Sequence, residues 1–303
     1  MRDITNRLAG AGVPSPRADA ELLAAHALRI DRNELARRIA LGFTFDDAGA
    51  PGFSRGENSG KGDDGDDGVY ACLQQLAAQR ANRVPLQHLT GRAPFRQLEL
   101  MVGPGVFIPR PETELVAGAA IEYLRANSSR AGQPLIAVDL CAGSAAIAIA
   151  IASECPGVNV HAVELDPAAA RWAWRNIREL APQVNLTEGD AANALPELDG
   201  QVDVVASNPP YIPAGATPQQ PEAARHDPPL ALYGPEPDGL GTVRAVVVAA
   251  TRLLKPAGLL VLEHGEPQAA AIAQMLAETE RFTNIESHRD LAGRPRFVTA
   301  VRR

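Results

Sequence analysis

Apolar residues recur at the spacing of a helix through the first part of the chain. Between residues 15 and 41, apolar positions that include Leu22, Leu35 and Ile39 fall on one face of a helical repeat. The same spacing returns over residues 69–82. Few strand-like alternations occur here, so this part of the sequence predicts a bundle of helices.

Short apolar runs replace that spacing later in the chain. Residues 95–102 alternate between apolar and polar side chains, which predicts a short strand in a hairpin. From residue 135 onward, strand-like runs alternate with helical segments, which predicts a parallel sheet covered by helices. The predicted strands cover residues 135–139, 158–164, 184–189, 202–207 and 258–264, and the predicted helices cover residues 145–153, 167–180, 240–254 and 268–280.

The end of the chain has a different pattern. Strand-like residues 284–289 and 296–301 are joined by six residues, which are too few for a crossover helix. These two strands are therefore predicted to pair in antiparallel fashion. A parallel α/β sheet closed by an antiparallel strand is the Rossmann-like sheet of class I methyltransferases, and it differs from a purely parallel dehydrogenase sheet.

Residues 46–68 interrupt the helical pattern. They contain seven glycines and the run Gly-Asp-Asp-Gly-Asp-Asp-Gly, a composition that buries too little apolar surface to fold. We interpret this stretch as a flexible insertion. A calcium-binding loop is the alternative, but the run lacks the closing glutamate of an EF-hand.

The composition is that of a soluble, globular protein of two domains. The 303 residues are 46% hydrophobic and 21% charged. The net charge of -7 argues against a protein that wraps nucleic acid, because neutralising phosphates requires a basic surface.

The cysteines and the N-terminal residues indicate the cellular compartment of the protein. Cys72, Cys141 and Cys155 form no Cys-x-x-Cys pair, so neither a disulfide framework nor a metal site is expected. Asp3 and Arg7 interrupt the apolar residues of the N-terminus, and no apolar run is long enough to span a membrane. We expect a cytoplasmic protein without a membrane segment.

The segment Asp139-Leu140-Cys141-Ala142-Gly143-Ser144-Ala145 lies between the first predicted strand of the sheet and its helix. Ligands of parallel sheets bind at the carboxyl ends of strands, and small residues let them approach the backbone. Glu164 ends the second strand, where a carboxylate can accept both hydroxyls of a ribose. Asp190 follows the third strand and can meet an adenine. These residues are candidates for a nucleotide-cofactor site.

Other interpretations of the cofactor loop are weaker or remain open. Any α/β domain needs small residues in its first turn, so the loop alone does not decide the question. A nicotinamide site requires Gly-x-Gly-x-x-Gly, of which only Gly143 is present. Cys141 lacks a neighbouring His or Asp motif that would support a nucleophile.

The turn Asn208-Pro209-Pro210-Tyr211 follows the fourth predicted strand and is the most specific motif in the chain. An amide nitrogen is a poor nucleophile because its lone pair is delocalised into the carbonyl. The Asn208 side-chain oxygen and the Pro209 carbonyl are acceptors that can bind both N–H protons and localise the lone pair. The prolines stiffen the turn, and Tyr211 offers a face for a planar group. The motif predicts methyl transfer to a planar amide or amine nitrogen.

A structural alternative exists for the same turn. Asn-Pro-Pro also makes a tight turn, in which Tyr211 would be a core residue. The sequence shows no evident general base, and none is required if the product proton is acidic enough to leave to water. His226 and His264 are the nearest candidates, but each is more commonly a structural histidine.

Further motifs extend along nearly the whole chain. They lie outside a generic methyltransferase core, at residues 15–23, 85–91, 104–114, 227–232, 238–240 and 290–294. With the turn at residues 208–211, they make the chain similar to the HemK/PrmC family. Members of that family are glutamine-N5 methyltransferases that modify the Gly-Gly-Gln motif of class I peptide chain release factors.

The resemblance implies an organisation and a set of ligands. The methyl donor would be S-adenosyl-L-methionine, the product S-adenosyl-L-homocysteine, and the partners class I peptide chain release factors. Residues 1–84 would form a helical substrate-recognition domain, 85–106 a linker hairpin, and 107–303 the methyltransferase domain. Cofactor contacts are implied for residues 141–145, Glu164, Ala191 and Asn208. The substrate glutamine would contact Asn208, Pro209, Pro210 and Tyr211.

Two features depart from the family pattern. Relatives usually have three glycines in the cofactor loop, whereas Cys141 and Ala145 occupy the outer two positions here. Position 191, often a large residue that stacks on adenine in relatives, is Ala191. We expect a lower affinity for the cofactor.

Residues 109–114 have two interpretations, one structural and one functional. Pro111 and the acidic residues after it are typical of a helix start. Arg110 is a candidate to orient Glu112 or the substrate loop.

Two other functions fit some of these residues. A nucleic-acid methyltransferase that acts on adenine N6 or guanine N2 presents the same planar amine to the turn after flipping a base out. It also needs a phosphate-binding surface, so the acidic balance disfavours it and no stable nucleic-acid complex is expected. A catalytically silent scaffold is disfavoured because Asn208 and Tyr211 are both present.

Overall fold

The structure is a computed structural model that describes residues 1–45, 51–53, 66–128, 133–218 and 220–303. The chain separates into two compact units. One comprises Met1–Gly91 with Gln220–His226, and the other comprises Arg92–Gln219 with Asp227–Arg303. The domain limits predicted at 1–84, 85–106 and 107–303 stay a prediction. In the described part of the chain, no helix is long and apolar enough to cross a membrane.

The first unit is mainly helical, as the spacing of its apolar residues predicts. Leu8, Leu23, Leu35 and Leu73 are at most 1% exposed and pack together in its core. Its helices are α1 (Arg2–Gly10), α2 (Pro16–Leu28), α3 (Arg32–Ala40), α4 (Asp66–Ala81), α5 (Leu86–Thr90) and, numbered in chain order, α9 (Pro221–His226). The strands β1 (Phe43–Phe45) and β2 (Pro51–Phe53) pair in antiparallel fashion.

The flexible insertion predicted over residues 46–68 falls largely outside the described residues. Within that stretch, β2 pairs with β1 so that Phe53 lies opposite Phe43. Helix α4 begins at Asp66, three residues before the helical spacing of the sequence starts. These two portions are regular elements rather than linker.

A buried group of charges ties α9 to the other helices of its unit. Arg80, which is 6% exposed, donates from Nε to Asp19 Oδ2 at 2.7 Å and from Nη1 to Glu222 Oε1 at 2.9 Å. Arg83 donates from Nη2 to Glu222 Oε2 at 2.9 Å. Buried charges are retained only when they are paired, so each member depends on the others.

The second unit begins with a hairpin made of β3 (Arg92–Phe95) and β4 (Leu98–Met101). The single strand predicted over residues 95–102 is therefore wrong in its limits, because Arg96 adopts a φ of 53° and reverses the chain. The other elements are α6 (Thr113–Asn127), β5 (Ile136–Leu140), α7 (Ala146–Glu154), β6 (Asn159–Glu164), α8 (Pro167–Leu180), β7 (Asn185–Glu188), β8 (Val202–Ser207), α10 (Pro229–Leu232), α11 (Gly241–Leu253), β9 (Leu254–Glu263), α12 (Ala269–Glu278), β10 (Phe282–Arg289) and β11 (Pro295–Arg302).

The sheet of this unit has seven strands among the described residues, in the order β10-β11-β9-β8-β5-β6-β7. The pairs from β9 to β7 are parallel, whereas β11 is antiparallel to both β9 and β10. This arrangement confirms the predicted parallel sheet with a closing antiparallel strand. The carboxyl ends of β5 to β9 consequently lie along one edge of the sheet.

Both faces of the sheet are covered by helices. Alternate residues of a strand point to opposite faces, and in β5 Ala137 packs with residues of α6 and α7 while Val138 packs with residues of α11 and α12. Every residue of β8 is buried. Burial on both faces explains why the central strands are largely apolar in sequence and do not alternate strictly between apolar and polar residues.

Candidate active site

The loop after β5 forms one side of the candidate site. Ala142 N donates to Val163 O at 2.9 Å, which draws the loop towards the end of β6. Cys141, Gly143 and Ala145 have φ values of 61°, 56° and 63°, a left-handed conformation that favours glycine. The loop therefore keeps the backbone that three glycines would adopt, although two of its three left-handed positions carry side chains.

Glu164 connects this loop to the end of β6. Its Oε2 accepts from Gly143 N at 2.7 Å and its Oε1 accepts from Asp166 N at 2.8 Å. Each carboxylate oxygen keeps further acceptor capacity, which two adjacent ribose hydroxyls can use. Burial raises the pKa of Glu164. A Cβ built on Gly143 meets no atom within 4 Å, so the loop borders open space there.

Asp190 and Ala191 lie beside Glu164 at the same edge. Glu164 lies opposite Glu188 in the parallel β6–β7 pair, and Gly189 N donates to Glu164 O at 2.9 Å. Asp190 Oδ1 accepts from Ala192 N at 3.0 Å, and Ala191 is 7% exposed. The predicted cofactor residues of three neighbouring strands are thus brought together.

The Asn208-Pro209-Pro210-Tyr211 turn starts where β8 ends. Ser207 lies opposite Leu140 in the parallel β5–β8 pair, and its Oγ donates to Leu140 O at 2.7 Å. The turn and the cofactor loop therefore leave adjacent strands at the same edge of the sheet. Asn208, Pro210 and Tyr211 are half-buried, and Pro209 is buried.

Contacts with the backbone of Tyr211 and Ile212 hold the turn in place. Ile212 N donates to Leu232 O at 2.9 Å, and Gln268 Nε2 donates to Tyr211 O at 2.8 Å. Gly239 has a φ of 74°, and a Cβ built on it would lie 2.4 Å from Tyr211 O. Only glycine allows this approach, which explains part of the Asp-Gly-Leu motif at residues 238–240.

Two buried residues contact the turn: Thr113 from the 109–114 segment, and Glu263, which the sequence did not single out. Asn208 Nδ2 donates to Thr113 Oγ1 at 3.0 Å. Thr113 Oγ1 donates to Glu263 Oε2 at 2.7 Å, and Tyr211 OH donates to Glu263 Oε1 at 3.4 Å. Burial raises the pKa of Glu263 to about 7. Thr113 and Glu263 thereby join both functional side chains of the turn in one network.

The structure also assigns partners to the remaining candidates of the 109–114 segment. Arg110 forms an ion pair with Asp227, and Glu112 pairs with Arg294 at 3.4 Å. Arg110 thus contacts Asp227, the first residue of the 227–232 motif. Helix α6 begins at Thr113, two residues after Pro111, so Pro111 precedes the helix.

Three side chains considered as nucleophile or base are accounted for. Burial raises the pKa of the Cys141 thiol, so the reactive thiolate is disfavoured. His264 is fully buried, its Nδ1 lies 2.9 Å from Gly265 O, and burial lowers its pKa. His226 belongs to α9 of the first unit.

Comparison with known proteins identifies the family. Residues 104–221 match the model of the methyltransferase small domain, and residues 1–40 match the model of the PrmC N-terminal domain. The release factor glutamine methyltransferase of Streptomyces coelicolor is 47% identical over 98% of this chain and 94% of its own length. The chain belongs to the release factor glutamine methyltransferase family. The resemblance seen in the sequence is thereby confirmed.

Other relatives show how far the likeness extends. The release factor glutamine methyltransferase of Mycolicibacterium smegmatis is 43% identical over 98% of this chain and 95% of its own length. A protein of Streptomyces pristinaespiralis named 4-amino-L-phenylalanine/4-methylamino-L-phenylalanine methyltransferase is 37% identical over 95% of this chain and 89% of its own length. Proteins similar to this chain thus include one named for an aromatic amine.

Proposed function

We propose that the protein transfers a methyl group from S-adenosyl-L-methionine to the side-chain amide nitrogen N5 of the glutamine in the Gly-Gly-Gln motif of class I peptide chain release factors. The observation that carries the proposal is the position of the Asn208–Tyr211 turn. It follows β8 directly beside the 141–145 loop, and Ser207 Oγ donates to Leu140 O at 2.7 Å between them. Such a substrate also fits the cytoplasmic location expected from the sequence.

The turn supplies acceptors for an amide nitrogen. Because Asn208 Nδ2 is engaged by Thr113, Oδ1 is the end of the side chain that is left to accept from a substrate N–H. The Pro209 carbonyl is the second acceptor. Holding both N–H protons weakens the conjugation of the nitrogen with its carbonyl and localises the lone pair. The ring of Tyr211 provides a face for the planar amide.

The residues of the cofactor side suit S-adenosyl-L-methionine. Glu164 would accept from the ribose hydroxyls, Asp190 and Ala191 would border the adenine, and residues 141–145 with Asn208 would border the remainder. The open space beside Gly143 and the remaining acceptor capacity of Glu164 support this assignment. When bound, the cofactor supplies an electrophilic methyl group on a sulfonium, and S-adenosyl-L-homocysteine is the product.

Relatives favour a release factor as the acceptor over a small aromatic amine. Two of the relatives named for release factors are 47% and 43% identical to this chain, against 37% for a relative named for 4-amino-L-phenylalanine. The helical first unit, with its match to the PrmC N-terminal domain, is the candidate surface for recognising the release factor. No stable complex with nucleic acid is expected, because the chain carries a net charge of -7.

A labelling experiment tests the proposal. The purified protein and S-adenosyl-L-methionine with a labelled methyl group are incubated separately with a class I release factor, 4-amino-L-phenylalanine, and RNA or DNA. We expect labelling of the release factor, loss of that label when the glutamine of Gly-Gly-Gln is replaced by alanine, and a methylated glutamine in the corresponding peptide by mass spectrometry. Labelling of the amine or of nucleic acid, without the release factor, would refute the proposed substrate.

A further inference from the structure

The Asn208 side chain has two ends that differ in chemistry but hardly in size. Oδ1 accepts hydrogen bonds, whereas Nδ2 donates two. The proposed function requires an acceptor to face the N–H protons of the substrate, so only one rotation of the amide is productive. Packing distinguishes the two rotations poorly, because the ends are nearly isosteric. Some other feature of the site must set the rotation.

Two buried residues outside the turn distinguish the rotations by hydrogen bonding. Thr113 is 4% exposed and Glu263 is 2% exposed. The Thr113 hydroxyl has a single proton, which it donates to Glu263 Oε2 at 2.7 Å. It therefore has only lone pairs to offer Asn208, and it accepts from Nδ2 at 3.0 Å. This order of donors turns Oδ1 away from Thr113.

The hydrogen bonds from Asn208 to Thr113 and from Thr113 to Glu263 have a fixed direction only when Glu263 is an ionised carboxylate. A carboxylate accepts and never donates, whereas a glutamine or a protonated glutamate offers a donor to Thr113 Oγ1. The Thr113 proton would then be free to point at Asn208, and both amide rotations would be satisfied. A buried carboxylate also costs free energy that a neutral residue would not. Its presence here calls for a reason beyond packing.

The same carboxylate contacts the other functional side chain of the turn. Tyr211 OH donates to Glu263 Oε1 at 3.4 Å. Strands β8 and β9 pair in parallel with Ser207 opposite Leu262, which places residue 263 beside residue 208. Thr113 meets both from the first residue of α6. The arrangement is built from three separate elements of one unit.

We infer that Thr113 and Glu263 are positioning residues that fix the Asn208 side-chain oxygen towards the acceptor nitrogen and hold the Tyr211 hydroxyl. They act through the turn and contact neither the methyl group nor the acceptor. The inference rests on the proposed function for the identity of the acceptor. The direction of the hydrogen bonds rests on the contacts among these three side chains and on an ionised Glu263.

Four variants of the full chain test the inference by steady-state kinetics. Thr113→Val removes the hydroxyl, Thr113→Ser keeps it, and Glu263→Gln replaces the pure acceptor by a group that can donate. Thr251→Val is the matched control, because the Thr251 hydroxyl donates to Val247 O within α11, outside the site.

We expect kcat to fall roughly 10–100-fold in Thr113→Val and Glu263→Gln, a loss typical of removing an orienting partner. Thr113→Ser and Thr251→Val should stay near the unchanged protein, and KM for the cofactor should move little in all four.

Coupling to Asn208 separates positioning from a general structural role. If Thr113 acts through Asn208, adding Thr113→Val to Asn208→Ala should slow the enzyme no further. Losses that multiply in the double variant would overturn the inference, as would a Thr113→Val enzyme as active as Thr251→Val. Thermal unfolding of each variant shows whether a loss of activity follows a loss of folded protein, and Thr113→Ser reports on the hydroxyl if Thr113→Val does not fold.

A measurement without an acceptor keeps this inference separate from the proposed function. In nitrogen-15 NMR spectra, the Asn208 side-chain NH2 protons should exchange slowly with water in the unchanged protein and faster in Thr113→Val and Glu263→Gln. Equal exchange in all three would overturn the inference even if release factors are methylated. Failure to methylate any release factor would refute the proposed substrate and leave the exchange result to stand.

Discussion

Cys141 and Ala145 adopt the same left-handed backbone conformation, with φ values of 61° and 63°, at the two ends of the loop after β5. A residue with a Cβ is strained by roughly 1–2 kcal/mol in this region, whereas glycine is not. The family pattern noted in the sequence has glycines at these positions, whereas this chain has residues that carry side chains. The two residues therefore place strain in the loop.

Relief of that strain predicts an unusual tolerance to glycine. Ala145→Gly should change the free energy of unfolding by less than about 1 kcal/mol, because relief of strain offsets the lost methyl group and the added chain entropy. Ala150→Gly is the control: Ala150 is equally buried but lies inside α7, where glycine costs about 1–2 kcal/mol in helix propensity and burial. Urea unfolding measures both. Equal losses would contradict the assignment of strain to position 145.

Removing the side chain of Asn208 should affect turnover far more than cofactor binding. Asn208→Ala deletes the proposed acceptor for the substrate N–H, and loss of one such electrostatic contact typically lowers kcat roughly 100–1,000-fold. The dissociation constant of S-adenosyl-L-homocysteine, measured by calorimetry, should change much less. A turnover close to that of the unchanged protein would exclude the role given to Asn208.

Much of the fold follows from local patterns in the sequence. Strand β8 and helix α8 have the predicted limits, because a largely apolar run ends at a proline-rich turn in one and Pro167 begins the other. The hairpin at Arg92–Met101 was predicted with the wrong strand limits. Its turn depends on a positive φ at Arg96, and arginine gives no sequence signal for that conformation.

The site was less predictable than the fold. The turn and the cofactor loop are contiguous motifs, so the sequence identified them. Thr113 and Glu263 meet across 150 positions of sequence, so no local pattern shows their contact, although Thr113 lies within the 109–114 motif. One signal was available for Glu263, because it ends the strand next to β8 and ligands bind at such ends. The strand predicted over residues 258–264 ends at His264, directly after Glu263.

The close packing of Gly239 predicts a severe effect of a small change. In Gly239→Ala the new Cβ would lie 2.4 Å from Tyr211 O, and the φ of 74° adds strain. We expect a loss of stability of several kcal/mol together with a loss of turnover, because the turn must move. Gly157→Ala is the matched control, with a φ of 88° and no atom within 4 Å of the new Cβ. It should cost about 1 kcal/mol and leave turnover unchanged, as measured by thermal unfolding and kinetics.

Removal of Glu222 should destabilise the first unit. Glu222→Ala leaves Arg80 and Arg83 without one of their carboxylate partners, and Arg80 is 6% exposed. Loss of one partner from a buried ion pair typically costs roughly 3–5 kcal/mol. The control is Glu236→Ala, which breaks an exposed pair with Arg244 and should cost less than about 1 kcal/mol. Chemical unfolding compares the two, and similar costs would show that the buried group does not stabilise the unit.

Ionisation of Glu263 should make turnover and stability respond to pH in opposite directions. Burial raises the pKa of Glu263 from 4.5 to about 7, and the groups that face it are Thr113, Tyr211, Arg296 and Glu112. Because the folded pKa is the higher one, its contribution to stability is complete below pH 4.5 and is lost as the pH rises to about 7, by up to roughly 3 kcal/mol. Turnover should instead rise through pH 7, since only the carboxylate form fixes the direction of the Thr113 hydroxyl.

Asp139 and Glu164 also have raised pKa values, so the informative quantity is the difference between the unchanged protein and Glu263→Gln. We expect the stability of the two proteins to differ least at pH 5, where residue 263 is neutral in both, and most at pH 8, where Glu263→Gln should be the more stable. The difference in kcat should also be largest at pH 8; a pH profile of kcat that is the same in both proteins would exclude an ionised Glu263 from the working state.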